Sequence, residues 1–368
     1  MRFLHTADWQ IGMKAQSVGT AGARVREERL AASQRVVQAA RDNQADFILI
    51  AGDVFEDNAV DRVLVQKTAD ILEGFGGSAF IIPGNHDPLV PGSVWDHPVW
   101  KSSENVCVLR EEGPVELDGG FLYPCPVREK HSGKDPTSWI DASSDKGIRI
   151  GLAHGTVEGV HLEEPDCPIP RDAVERTGLD YLALGHWHST ATYAGSDGTV
   201  RMAYSGTHEI TRFGERDSGN VLIVEIPEGG ATPVVTTLHT GGLAWEVIEV
   251  DVREEGDVSR VRQTIESMDS PGSTLVQVQL AGLLAAADRA ELDRIEEILE
   301  ARFLFGLLDT SQLSPSPEDQ NWLSSLPPGV VRDAGARLCD LAASGGPSSD
   351  IASRALIELY AMVGEVSQ

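Results

Sequence analysis

Basic residues are scarce in this sequence. Of 368 residues only 30 are Lys or Arg, against 57 Asp and Glu, a formal charge of -27. A protein that grips nucleic acid by itself displaces phosphate counterions with basic side chains, so this balance argues against broad, unaided DNA binding. It leaves phosphate chemistry open, because surface charges are screened beyond about 8 Å at physiological salt and bound divalent ions reverse the local sign. Cysteine is scarce too. Cys107, Cys125, Cys167 and Cys339 are scattered without CxxC spacing, which suggests neither a disulfide framework nor a zinc ribbon and makes a reducing cytoplasm the expected compartment. No run approaches the roughly 20 apolar residues of a membrane helix, and the opening MRFLHTADW turns polar too early for a secretory signal. With 41% apolar and 24% charged residues the chain reads as globular, and its length allows two domains with cores of their own.

What is present is a recurring pattern. Apolar segments stop abruptly in polar clusters: RFLHTAD at the start, FILIAGD at 47–53, AFIIPGNHD at 79–87, IRIGLAHG at 148–155 and YLALGHWH at 181–188. Runs of this kind suit strands buried on both faces. Amphipathic stretches at roughly 24–43 and 61–75 predict helices between the first three, a βαβαβ opening whose ligands gather beyond the carboxyl ends of the strands. Asp8, Asp53, Asn85, His154, His186 and His188 would then converge. Their carboxylate, amide and imidazole groups suit manganese, iron or zinc. Two ions about 3.5 to 4 Å apart would need one shared carboxylate, for which Asp53 is the natural bridge, and could activate a water between them. His86 is left to act on substrate, with Asp87 placed to orient its ring. Each piece has a plainer reading: Gly52-Asp53 as a turn or cap, His154 as a hydrogen-bonded interior histidine.

In order, DWQ, GDVFE, GNHD, the HG of LAHG and GHWH resemble the five signature blocks of the calcineurin-like metallophosphoesterases. YLALGHWH followed by AYSGTHEITRFGERDSGNVLIVEI at 203–226 is similar to the SbcD-type nuclease subunits of bacterial double-strand-break repair complexes. The resemblance spans roughly residues 1–310. It implies an α/β metallophosphoesterase sandwich and DNA phosphodiester hydrolysis by a hydroxide bridging two ions. One ion would be held by Asp8, Gln10, Asp53 and His188, the other by Asp53, Asn85, His154 and His186, with His86 assisting departure of the leaving oxygen. Two positions depart from the pattern: Gln10 stands where the first block has histidine, and Glu56 ends a block that reads GDxxD. A neutral amide oxygen at Gln10 makes the first site harder and favours manganese over zinc. It could equally bond a metal-bound water and leave that ion weakly held.

Outside these blocks, His208 and Glu209 either line the substrate path or are polar loop residues. Arg128, Lys130, His131 and Lys134 form a small basic cluster that a solvated loop also explains. His5, His97, His161 and His239 carry no assignment. Residues 1–240 are read as the nuclease domain. Residues 241–312 are read as a smaller α+β domain, with a strand at TLVQVQL and helices near 258–268 and 288–303. Residues 313–368 are read as a linker at SPSPEDQ followed by two helices near 330–343 and 351–363. The resemblance makes the smaller domain a cap beside the site. It makes the final helices, with Leu356, Leu359, Tyr360 and Val363 as an apolar stripe, a dock for an SMC-like ATPase, which would also supply the missing basic surface; a homodimer is expected on the same ground. Two other functions fit the residues: a phosphodiesterase for small nucleotides, which an acidic surface would not oppose, and a weakly active scaffold for the ATPase.

Overall fold

A computed structural model describes residues 1–159, 166–315, 321–344 and 348–366. The chain packs as two compact units, Met1–Ala244 and Trp245–Gln368.

The first unit is a two-sheet sandwich. Strands β1 (Arg2–Thr6), β2 (Phe47–Ala51), β3 (Ser78–Ile82) and β4 (Val106–Val108) run parallel in one sheet. Helices α1 (Gly22–Asp42) and α2 (Arg62–Glu73) make the first two crossovers. The short helix α3 (Val99–Ser102) precedes β4. The second sheet holds β5 (Val115–Leu117), β6 (Gly120–Pro124), β7 (Ile148–His154), β8 (Tyr181–Gly185), β9 (Ala191–Ala194) and β10 (Val200–Tyr204), in the order β5-β6-β7-β8-β10-β9, with the short helix α4 (Ala173–Thr177) before β8. The chain then returns to the first sheet, where β11 (Asn220–Glu225) pairs antiparallel with β1 and β12 (Val234–His239) forms the edge. The five apolar runs are therefore divided, three to one sheet and two to the other.

Their continuous hydrophobicity follows from burial on both faces. Phe3, Phe47, Leu49 and Leu222 meet Leu122, Ile150 and Tyr181 between the sheets. Leu4, Ile48, Ile50 and Ile81 pack with Val36, Val65, Ala69 and Leu72 of the helices. Each such side chain contributes about 1.5 to 3 kcal/mol on full burial, and the alternation along a strand assigns neighbours to opposite layers. Helix α2 begins where the Asp61 carboxylate accepts the amide of Val63 at 2.8 Å, an N-cap that satisfies an otherwise orphaned donor.

In the second unit β13 (Ala244–Val252), β14 (Thr274–Leu284) and β15 (Phe305–Pro315) form a sheet in that order, with β14 and β15 parallel. Helices α5 (Asp257–Glu266) and α6 (Arg289–Arg302) bury Val258, Val261, Ile265, Ile295 and Leu299 against Val276, Val278 and Leu280. The alternation of TLVQVQL is thus a half-buried strand, as its period of two requires. Helices α7 (Asn321–Ser325), α8 (Val330–Ala343) and α9 (Ser349–Val366) follow. Of the stripe on α9, Tyr360 packs edge-on against Trp322 with ring centroids 5.1 Å apart. A Cβ at Gly335 would lie 3.3 Å from Leu359. The stripe therefore packs in part against α7 and α8, whereas Val330, Ile351 and Met362 are exposed. Of the linker SPSPEDQ, Ser314 and Pro315 end β15 and the rest lies outside the described residues, as does His161. Among the described residues no helix is long and apolar enough to cross a membrane.

Candidate metal centre

The site is built by loops that leave β1, β2, β3, β7 and β8 at one end of the sandwich. Three of these turns use left-handed backbone at residues with side chains: Asp8 (φ 54°) and Gln10 (φ 43°) after β1, Asp53 (φ 52°) after β2 and His186 (φ 107°) after β8. Each costs of order 1 to 3 kcal/mol and persists only where surrounding structure enforces it. The enforcement here is a lacing of the first two loops, with Asp8 N donating to Gly52 O at 3.1 Å and Gln10 N to Asp53 O at 2.9 Å. The glycines of the blocks are spatially required. A Cβ at Gly84 would sit 2.1 Å from Asp53 Oδ1, and one at Gly52 would sit 2.4 Å from His154 Nδ1.

Asp53, His154 and His186 offer donor atoms within 4.8 Å of one another, and among the described residues this is the only such group of three His, Cys, Asp or Glu side chains. His154 Nδ1 donates to Ala51 O at 2.8 Å, which directs Nε2 into the cluster. That nitrogen lies 2.8 Å from Asn85 Oδ1 and 3.3 Å from Asp53 Oδ2, and His186 Nδ1 lies 3.1 Å from the same amide oxygen. Burial alone would lower His154, yet the charge of Asp53 raises it to about 9. Asp53 in turn is held down at about 2 by His154 in spite of its burial. A buried imidazole and carboxylate coupled in this way hold a positive charge, whether a proton or a metal ion. Burial, joined by the like charge of His154, lowers His186 to about 4 and so keeps its ring neutral as a ligand must be. One carboxylate, one amide oxygen and two imidazoles fit manganese, iron or zinc.

The other half of the cleft is organised differently. The Asp8 carboxylate accepts the His186 amide at both oxygens, 3.1 and 3.0 Å, and burial raises it to about 6. His188 donates from Nδ1 to Glu215 Oε1 at 2.8 Å, and its Nε2 lies 3.3 Å from Gln10 Nε2. Thr211 N fixes the Glu215 carboxylate at 2.8 Å. Beneath the loop, the buried guanidinium of Arg29 donates to Trp9 O and Glu209 O; burial lowers it to about 10.

Two expectations require correction. Asp87 does not orient His86: its carboxylate accepts the amides of Gly84 (2.7 Å) and Phe55 (2.9 Å), so it shapes the turn while burial raises it to about 7. His86 is held instead by its own amide donating to Asp53 Oδ1 at 2.8 Å and by Nδ1 donating to Glu56 O at 3.0 Å. The departure at Glu56 is thus bridged by a main-chain oxygen, which any residue supplies. His208 and Glu209 do not line a substrate path. Both are fully buried; His208 Nε2 donates to Arg29 O at 2.8 Å and the ring stacks on Trp9. Glu209 accepts the amides of Gly242 and Leu243. In the basic cluster, Arg128 pairs with Glu111 and His131 with Asp166, partners within the chain. Sequence reasoning passed over Glu215 and Arg29. Arg29 had a readable signal, since it stands on the same helical face as the apolar Val25 and Ala32; Glu215, 27 residues from His188 in the chain, had none.

The sequence pattern of the calcineurin-like phosphoesterases matches residues 1–190, more than half of the chain. The chain belongs to that family. As a calcineurin-like phosphoesterase it hydrolyses phosphoesters and binds divalent metal. The protein named Uncharacterized metallophosphoesterase YhaO, of Bacillus subtilis (strain 168), is 26% identical over 357 residues, covering 89% of this phosphoesterase and 85% of that protein. The crystal structure of TT1561 of Thermus thermophilus superposes with a TM-score of 0.42 at 10% identity, over 65% of this chain and 98% of that one.

Proposed function

We propose that this phosphoesterase is a manganese-dependent DNA phosphodiesterase, the nuclease subunit of an SbcCD-like complex. The observation that carries the reading is the convergence of Asp53, Asn85, His154 and His186 on one point, with His86 anchored to Asp53 beside it. Divalent ions bound there supply an activated water and offset the charge that develops on the phosphoryl oxygens. The chain's own part is positional. His154 is locked by Ala51 O. Because Glu56 O takes the Nδ1 proton of His86, Nε2 of that ring is left to exchange a proton with the departing sugar oxygen. The preference for DNA is supported by the likeness of the blocks at 181–226 to SbcD-type subunits, and manganese is among the ions that a mixed oxygen and imidazole donor set suits. The charge of -27 calls for a partner with a basic surface. Val330, Ile351 and Met362, exposed on α8 and α9, are the apolar side chains by which an SMC-like ATPase would be gripped.

The test is cleavage of an end-labelled linear duplex with manganese titrated in, wild type beside His86→Ala. Manganese-dependent cleavage that disappears in the variant supports the reading. The same acidic surface does not oppose a second reading, a phosphodiesterase for small nucleotides. Salt separates them, since cleavage of DNA should weaken steeply as salt rises and small-nucleotide turnover should not.

A further inference from the structure

We infer that Gln10 closes the first half of the cleft with a hydrogen bond, so that this chain binds one divalent ion tightly, at Asp53, Asn85, His154 and His186, and a second only weakly. The inference rests on the metal-dependent reading above and deepens it.

The argument is one of hydrogens and lone pairs. His188 Nδ1 lies 2.8 Å from a Glu215 carboxylate oxygen, an acceptor only, so that nitrogen carries the proton. The opposite nitrogen, Nε2, then has a lone pair alone to offer, and it is the atom that a metal would need. Facing it at 3.3 Å is the amide nitrogen of Gln10, a group that only donates. One hydrogen fits each gap, and the lone pair of His188 is already taken.

Gln10 is not free to leave. It is buried, its backbone is left-handed, and its main-chain N–H is tied to Asp53 O at 2.9 Å. Turning the amide over would set its oxygen against Nε2, two lone pairs face to face, which a proton on that nitrogen or a metal ion between them would have to reconcile. Asp8 and His188 also fail to join any third His, Cys, Asp or Glu donor within 4.8 Å among the described residues, whereas Asp53, His154 and His186 do so together. The two half-sites therefore differ in the completeness of their donor sets. A histidine at position 10 would remove the amide donor and add an imidazole.

Binding of manganese alone to full-length, chelator-stripped protein tests this by calorimetry, with folding of each variant checked by circular dichroism. The wild type should take up one equivalent tightly, with any second at least about tenfold weaker. Gln10→His should take up two, and Gln10→Ala should keep one. Two equivalents of similar affinity in the wild type, with loss of one in Gln10→Ala, would make Gln10 a ligand and overturn the inference. Should Gln10→His not fold, the wild-type stoichiometry still decides: one tight equivalent unchanged in Gln10→Ala upholds the inference, and two of similar affinity overturn it. Failure of the wild type to bind manganese at all would instead overturn the metal reading on which the inference stands.

Discussion

The two halves of the cleft are made from the same material, loops at strand ends with left-handed backbone, yet they arrange their polar atoms in opposite senses. Around Asp53 the acceptors of Asn85 and His154 point at each other, and His186 adds a third to the same spot. Around His188 the Glu215 carboxylate, the His188 ring and the Gln10 side-chain nitrogen are linked acceptor to donor in one chain. The first arrangement is complete only with a cation in it. The second is complete as it stands.

That contrast can be broken at its strongest point first. Asp53→Asn removes the carboxylate common to both halves, and manganese uptake measured by calorimetry should be abolished together with hydrolysis. His86→Ala keeps the main-chain N–H that donates to Asp53 Oδ1 and removes only the ring; it should lower kcat by roughly 10² to 10⁴ while the binding stoichiometry stays as in the wild type. Gly84→Ala brings a methyl group 2.1 Å from Asp53 Oδ1, and displacement of that oxygen should weaken manganese affinity by about 10- to 100-fold.

Acidity sharpens the comparison. A proton on His154, raised to about 9, must leave before an ion enters. Affinity should therefore climb as pH rises toward that value, by up to about tenfold per unit, and level off above it. The smallest effect on the ion belongs to the other half. Arg29→Met orphans the carbonyls of Trp9 and Glu209, which should cost about 2 to 3 kcal/mol in denaturant unfolding and leave the affinity of the Asp53 half within about threefold.

Much of this was legible in the residues because strand ends in an α/β sheet announce themselves: an apolar run buried on both faces must stop where the backbone leaves the sheet, and FILIAGD or YLALGHWH stop there visibly. That is why Asp53, Asn85, His154 and His186 could be brought together from positions far apart in the chain. The partners of each side chain were not legible, because they depend on turns that the sequence does not display. Asp87 follows His86 and was expected to serve it, but the turn folds its carboxylate back onto the Gly84 and Phe55 amides. His208 and Glu209 read as polar loop residues, yet the loop packs against α1, where Arg29 and Arg35 meet them. The extent of β14, from Thr274 to Leu284, exceeded the alternating stretch because Ala281 and Gly282 continue the ladder to β15 without large side chains.

The pairing of β1 with β11, from Arg2 opposite Glu225 to His5 opposite Leu222, has a consequence for the chain as it is made. The strand that leads into Asp8 and Gln10 leaves the ribosome long before its antiparallel neighbour, and His186 and His188 are also late. At roughly 5 to 20 residues per second of synthesis, the earlier strand waits some tens of seconds before that neighbour exists. A nascent chain shorter than this is a phosphoesterase sequence without a phosphoesterase site, so the hydrolytic activity is switched on only when the sandwich has closed.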